Sequence, residues 1–477
     1  MTSPRGRMQG TGLVVLILAA AWAADAKPVA AVQKAVSLTV YNSGMALVRD
    51  TREASLPQGE VRLQFPGVAR QIQSSTVQIV SLSPAAGLKV LEQRYEYNLL
   101  TPESLLRGYV GKTVTIVDEH NPDKQVSAKL IAANPAPVWE IGGKIVTGLK
   151  ADQYMFPRVP SALTAKPALV ALVESHRAGP QEIQLSYLTN GIGWSADYVL
   201  TVARDWQTGS VSGWFTIDNR TGTAFRNAAL QLVAGQVRQV GPAYGIAGGV
   251  PGRFERTAQV VRAAMPLIMQ QPFAAYHLYT VERPATLANN ETTQISLLTA
   301  GGVHLTRTYE VQGQTYYFHS PLESAEPLRD PVQIHLKFVN TKQNSLGVPL
   351  PEGVVRVYRN DAQERTQLIG EARIGHTPEG ERLNLTIGNA FDIVAERKQT
   401  DYRRSGPNAA EMAFAITLRN HGGKPVQVMV NEPFGGDWQI TDSNFPYQKT
   451  GAFSARFTVP VPAKGITVLK YRVHVQW

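Results

Sequence analysis

The chain has 477 residues, no cysteine and a formal charge of +10, from 47 Lys and Arg against 37 Asp and Glu. The missing cysteine excludes disulfides, thiolate zinc sites and cysteine nucleophiles together, so any core must be held by packing alone. The basic excess is dispersed, and its densest stretch, "ERKQTDYRR" (Glu396 to Arg404), also carries acids; this excludes a nucleic-acid stripe and fits a solvated surface with weak attraction to anionic envelope polymers or lipid head groups.

Arg5 and Arg7 precede the apolar run Gly12 to Ala23, and Ala24-Asp25-Ala26 follows it. A basic start, a short apolar stretch and a small-x-small site predict a signal peptide over residues 1–26, removed on export to the periplasm or beyond. The run falls short of the about 20 residues that a spanning helix needs. No cysteine follows that could carry a lipoprotein-type anchor. The remainder, about 450 residues, is enough for about three domains.

From Val36 the chain alternates Val36, Leu38 and Val40 with polar neighbours, turns at Asn42-Ser43-Gly44, and resumes with Met45 and Leu47. Pro57-Gln58-Gly59 turns it again before Val61, Leu63 and Phe65. Period two with such punctuation predicts antiparallel strands. Thr101, Pro102, Glu103 and Gly111 supply the cap, first-turn proline, dipole-matching acid and terminator of one short helix. Short strands around the Asn121-Pro122-Asp123 and Gly142-Gly143 turns then predict a small β-barrel-like insertion over about 111–159, inside an N-terminal β-sandwich of residues 35–167.

Longer strands follow, predicting a central β-sandwich region over residues 168–240. Within them "YLTNGIGWSADY" (Tyr187 to Tyr198) spaces its glycines like a dinucleotide loop. A phosphate loop opens a helix, however, and here Tyr198, Leu200 and Val202 alternate as a strand. Gly191 and Gly193 are therefore expected to let the chain turn or bulge into that strand. Trp194 and Trp214, as an exposed pair, could stack on sugar rings; in strand-rich contexts large aromatics more often fill a sandwich core.

Residues 241–275, rich in Gly, Ala, Gln and Pro, are expected to form a flexible loop, or else a docking segment presenting Met265, Leu267, Ile268, Met269 and Phe273. Strand grammar resumes at His277 and divides into a third β-domain (276–390) and a C-terminal immunoglobulin-like domain (391–477). Three stretches, starting at Trp214, His335 and Ala415, each read strand, Asn, turn, strand, with Asn219, Asn340 and Asn420 at the junction. Asn tolerates left-handed backbone and bonds its own turn, so the repeat reads as architecture, suited to stacked sandwiches. The last residues alternate Leu469, Tyr471, Val473, Val475 and Trp477. That ending resembles the terminal strand of an outer-membrane barrel, but the interior lacks the repeated lipid-facing strands of one; a terminal sandwich strand is the other reading.

The nine histidines sit at no metal-ligand spacing, and phosphate-loop and serine-elbow motifs are missing. The sequence therefore implies no catalytic residue, no cofactor and no metal. Asp361, Glu432 and Asp437 could meet as acids only in three dimensions; as single residues they read as turn caps and surface charges. Sequons begin at Asn219, Asn290 and Asn384 and read as chance in a bacterial chain.

Several segments in order resemble the bacterial domain of unknown function 4139: "LTVYNSGMALVRD", "LEQRYEYNLLTPESLLRGYVGK", "SYLTNGIGWSADYVL" with "LQLVAGQVRQV", "LGVPLPEGVVRVYRND", "LIGEARIGHTPEGERLNLTIGNAFDIVAER" and "EPFGGDWQITDSNFP". The resemblance covers most of the mature chain. It implies an exported, β-rich protein of a Gram-negative envelope, and brings no catalytic residues to carry over. Relatives labelled mucoidy inhibitors suggest exopolysaccharide control; they carry a coiled-coil-like segment near the N-terminus, which this chain lacks.

Together these readings predict an all-β chain of tandem immunoglobulin-like β-sandwich domains, with the small β-barrel-like insertion and few short helices. The function expected is a non-catalytic binding or scaffold module of the cell envelope, with an envelope protein or an anionic glycan as partner. An envelope-polymer hydrolase whose acids meet only in space, or association with the outer membrane, are the competing expectations.

Overall fold

The computed structural model describes residues 28–83, 87–96, 98–118, 121–148, 153–160, 163–235, 268–273, 276–322 and 326–477. The expected signal peptide and residues 241–267 of the expected loop, with Met265 and Leu267, lie outside the described residues. The chain is all-β, and among the described residues its sole α-helix is Pro102–Gly108. No described helix is long and apolar enough to cross a membrane. The fold divides into two compact units: Arg49–Tyr187 with the chain up to Ala35, and Val36–Val48 with Leu188–Trp477.

In the first unit, Gly59–Pro66 and Ala168–Ser175 pair antiparallel, flanked by Val29–Ala30 in parallel and Leu88–Glu96 antiparallel. Alternation buries Leu63, Phe65, Leu169, Ala171 and Val173. The helix starts as its sequence dictates: Ser104 N–H donates to Thr101 Oγ1 at 3.1 Å, and Thr101 N–H donates back to Ser104 Oγ at 2.7 Å. The insertion is an open antiparallel sheet of five strands, ordered Lys144–Thr147, Val138–Ile141, Asn121–Ala132, Thr113–Asp118, Gln153–Met155. Its edge strands do not pair, so no barrel closes. Val114, Ile116, Leu130 and the fully buried Trp139 form a small core of their own, with Tyr154 stacked on Trp139 at 5.3 Å.

The second unit holds two further layered arrangements. Glu291–His304, Thr208–Asn219, Ile192–Val202, Gly353–Asn360 and Thr366–Ile374 form one five-stranded sheet, antiparallel except where Ile192–Val202 runs parallel to Gly353–Asn360. Phe225–Ala234 pairs with Tyr276–Leu287 antiparallel and with Ser37 to Tyr41 in parallel. Part of the expected loop is regular: Ile268–Phe273, with Ile268, Met269 and Phe273, is a strand antiparallel to Tyr276–Leu287. Ile268 and Phe273 suit a pleated strand, and the segment pairs its backbone groups along the edge of Tyr276–Leu287.

Towards the C-terminus a six-stranded sheet (Arg382–Asn389, Val332–Val339, Thr306–Gln312, Val426–Pro433, Ser454–Val461, Tyr447–Gly451) faces a five-stranded one (Leu328–Asp330, Ile393–Gly406, Ala409–Asn420, Gly465–Gln476, Asp437–Ser443). Val428, Val430, Phe457 and Val459 from the first share one core with Met412, Phe414, Ile416, Leu469, Tyr471 and Val473 from the second, which makes a β-sandwich. The chain's final alternation thus ends in this core: Leu469, Val473 and Val475 are fully buried.

A buried charge cluster interrupts the apolar packing. Arg397 Nε donates to Asp330 Oδ2 at 2.8 Å, and its Nη1 donates to Glu432 Oε1 at 2.7 Å. The guanidinium lies over the Tyr317 ring at 4.9 Å. Burial pushes the Glu432 carboxyl up, with Arg397 opposing it. Gly313 is required beside it, because a Cβ there would come 2.1 Å from Glu432 Oε2.

Candidate functional site

Strand register decides which side chains can meet a ligand. Ile192–Val202 and Thr208–Asn219 pair without a bulge, Trp194 opposite Ile217 and Asp197 opposite Trp214. Odd positions of the second strand, Val211, Phe215 and Ile217, point inward, so even-numbered Trp214 points out and is 37% exposed. Trp194 is 6% exposed, its Nε1 donates to Val40 O at 3.1 Å, and its ring meets Phe215 edge-on at 5.2 Å. The two tryptophans therefore lie on opposite faces and do not form a sugar-stacking pair; the core expectation holds for Trp194 and is corrected for Trp214 by its strand parity.

The glycine pair does backbone work. Gly191 adopts φ +79°, which turns the chain into the strand. Gly193 lies within the strand, where a Cβ would approach Gly44 Cα to 3.1 Å, so it admits the 42–44 turn and makes no bulge. Asp361 caps its own turn, accepting from Gln363 N–H at 2.9 Å and Arg365 N–H at 3.0 Å. Glu432 is in the sandwich core, not on the surface, because Arg397 compensates it there. Among the described residues no three His, Asp or Glu side chains group as a metal site.

The three repeated asparagines are buried plugs at strand ends. Asn340 Nδ2 donates to Val348 O (2.8 Å), Thr377 O (3.2 Å) and Pro378 O (2.9 Å), while its Oδ1 accepts from Gly347 N–H at 3.0 Å. Asn219 reaches Thr223 O, Leu287 O and Ala288 O in the same way, and Asn420 reaches Lys424 O and Pro462 O. None of the three has a positive φ. The recurrence comes from amide groups closing neighbouring loops, rather than from tolerance of left-handed backbone.

Asn340 also fixes the wall of a groove of about 710 Å³ in the second unit. After Asn340 the chain makes a 3-10 turn, Lys342–Asn344, left through Ser345 in the left-handed region. Buried Asn344 then clamps a strand end: it accepts from His304 N–H at 2.6 Å and donates to His304 O at 3.3 Å and Val339 O at 3.1 Å. Opposite this wall, Lys337 pairs with Asn384, Phe338 with Leu383 and Val339 with Arg382 across two antiparallel strands. The groove is therefore lined by apolar Phe338, Val339 and Leu383 together with His304, Thr306, Lys337, Asn344, Arg382 and Asn384.

Its electrostatics are cationic. Arg382 is exposed and forms no ion pair among the described residues. Lys337 is tethered from behind by Glu310, which also accepts from Thr308 Oγ1 and Asn431 Nδ2, each at 3.2 Å. Arg456 Nε donates to Asn431 Oδ1 at 2.7 Å, extending a polar strip across the sheet. Burial pushes the Glu310 carboxyl up, but the Lys337 hydrogen bond and charge, helped by His335 and Asn431, outweigh it and hold the carboxyl below its ordinary value. His335 Nδ1 lies 3.1 Å from both Asn384 Oδ1 and Thr386 Oγ1. The Asn384-Leu385-Thr386 spacing thus places two polar groups on one strand face, around one imidazole. No carboxylate lines the groove itself. The sequence marks Asn384 only as a sequon and His304 only as one of nine scattered histidines, and points to none of the lining as a site, since four separate segments supply it.

No family model matches the chain, and no curated protein matches it.

Proposed function

We propose that this protein is an exported binding module of the bacterial envelope and that its groove takes an anionic saccharide. The observation that carries the reading is the groove's composition: apolar Phe338, Val339 and Leu383 in its lining, Arg382, Lys337 and His304 for carboxylates, and amide groups of Asn344 and Asn384 for hydroxyls. The lining offers recognition groups, whereas glycoside hydrolysis needs a pair of flanking carboxylates. Residues 1–26 support export, and the segments resembling domain of unknown function 4139 support a Gram-negative envelope setting.

Titration calorimetry with polygalacturonate and with neutral dextran tests this. Polygalacturonate is expected to bind, weakening as salt rises, and Arg382→Gln is expected to lower affinity about 10-fold, the scale of one charge-assisted hydrogen bond. Equal binding of the neutral polymer, or unchanged binding by Arg382→Gln, would sink the reading.

A further inference from the structure

Two arginines of the second unit converge on one indole, and none of the three lines the groove. The Arg307 guanidinium lies 4.4 Å and the Arg359 guanidinium 4.7 Å from the Trp206 ring centroid, and Arg307 also lies 5.2 Å from the Tyr309 ring. The convergence follows from topology: Arg359 is at the end of Gly353–Asn360 opposite Val202, Arg307 is the second residue of Thr306–Gln312, and Trp206 sits in the turn between Ile192–Val202 and Thr208–Asn219 with φ +66°. Trp206 N–H donates to Ala203 O at 3.1 Å, fixing the turn that holds the ring.

Neither guanidinium has an acid partner among the described residues. The nearby carboxylates are engaged elsewhere: Glu364 with Arg204, and Asp361 with Arg365. Arg359 Nη2 donates to Arg204 O at 3.0 Å, while its Nε is shut off from solvent without a partner. Burial pulls the Arg307 guanidinium below its ordinary value; Tyr309 opposes this and the Arg359 charge adds to it. Half-buried like charges on one ring repel, and among the described residues neither has an ion pair to offset this. Stacking uses the flat face of a guanidinium and leaves in its plane the N–H groups that nothing else holds, here the Arg307 fork and Arg359 Nη1, to grip an oxyanion from the side.

We propose that Arg307, Arg359 and Trp206 form a second ligand site, separate from the groove, for a divalent tetrahedral oxyanion of the phosphate or sulfate class. Two adjacent cations select a dianion over a monovalent carboxylate, and Trp206 holds both guanidinium groups in place before the anion arrives.

The test measures the thermal midpoint and calorimetric binding of the full mature chain in sodium phosphate, sodium sulfate and sodium chloride at matched ionic strength and pH 7.5, a condition at which most phosphate carries its second charge. Because phosphate and sulfate also stabilise folded proteins generally, a midpoint rise and binding heat that Arg359→Gln loses support the site and name the anion. Arg307→Gln and Arg359→Gln are each expected to weaken binding at least about 10-fold, while Arg226→Gln, at an exposed arginine in neither site, leaves it unchanged. Because the wild-type comparison needs no variant, a misfolded variant cannot rescue the idea. Identical wild-type midpoints and no heat in the three salts, or undiminished binding by Arg359→Gln, overturns it.

Discussion

A single amide closes a whole corner of this fold. Asn340 is fully buried and makes four bonds to backbone groups of two loops. Alanine there leaves those groups unmatched, at about 1–3 kcal/mol. Urea unfolding should show that loss for Asn340→Ala, and a change within about 0.5 kcal/mol for Asn389→Ala, an exposed position on the same sheet; equal losses would remove the plug argument. Arg397 carries a different liability. Removing it as Arg397→Met strands Asp330 and Glu432 in the core, and about 3–5 kcal/mol should be lost. The triple change Arg397→Met, Asp330→Asn, Glu432→Leu deletes the charges together, and its unfolding midpoint should lie above that of the single variant.

At the scale of the strand, period two made most of the fold readable from the sequence. Val36, Leu38 and Val40 are buried as their alternation predicts, and so are Leu469, Tyr471 and Val473. The same parity, Val211, Phe215 and Ile217 against Ser210, Ser212 and Trp214, was available to place Trp214 outward; aromatic size alone misplaces it. Gly193 was beyond reach, because its constraint is Gly44, about 150 positions away in sequence and opposed only by long-range packing. The groove was equally hidden: Lys337 meets Asn384 through register, and Asn344 meets His304 through a turn, neither of which leaves a local pattern. The polar strip behind Lys337 gives this element a pH signature. Glu310 is held below its ordinary 4.5, so the unfolded chain takes up that proton first as pH falls. Its contribution is complete above pH 4.5 and is lost as pH falls through the depressed folded value. Glu432, pushed up by burial, contributes with the opposite sign, fading as pH rises through its folded value, and it cancels when wild type is compared with Glu310→Gln. Urea midpoints between pH 6 and pH 3 should therefore fall less steeply for Glu310→Gln; parallel curves would mean the carboxyl is not depressed.

The second unit is not continuous in sequence, because one of its segments interrupts the first unit. Val36–Val48 belongs with Leu188–Trp477, and Ser37 to Tyr41 pair in parallel with Ala229 to Val233 of Phe225–Ala234. Val40 is fully buried there and accepts from Trp194 Nε1, while Gly44 packs on Gly193. A fragment of residues 188–477 thus lacks one strand of its own sheet, leaves a row of backbone groups unpaired and opens the layer over Trp194. The consequence reaches folding as well as stability: this unit cannot complete its sheet until a segment about 190 residues upstream of its strand partner has docked, a long loop closure that slows assembly. Residues 188–477 made alone should melt below the full chain and bind a fluorescent probe of exposed apolar surface. A synthetic peptide of residues 32–48 should restore the melting point and suppress the probe, whereas the same peptide carrying Val40→Asp should not. Rescue by both peptides, or native-like melting of the bare fragment, would show that the N-terminal strand is not part of this unit's core.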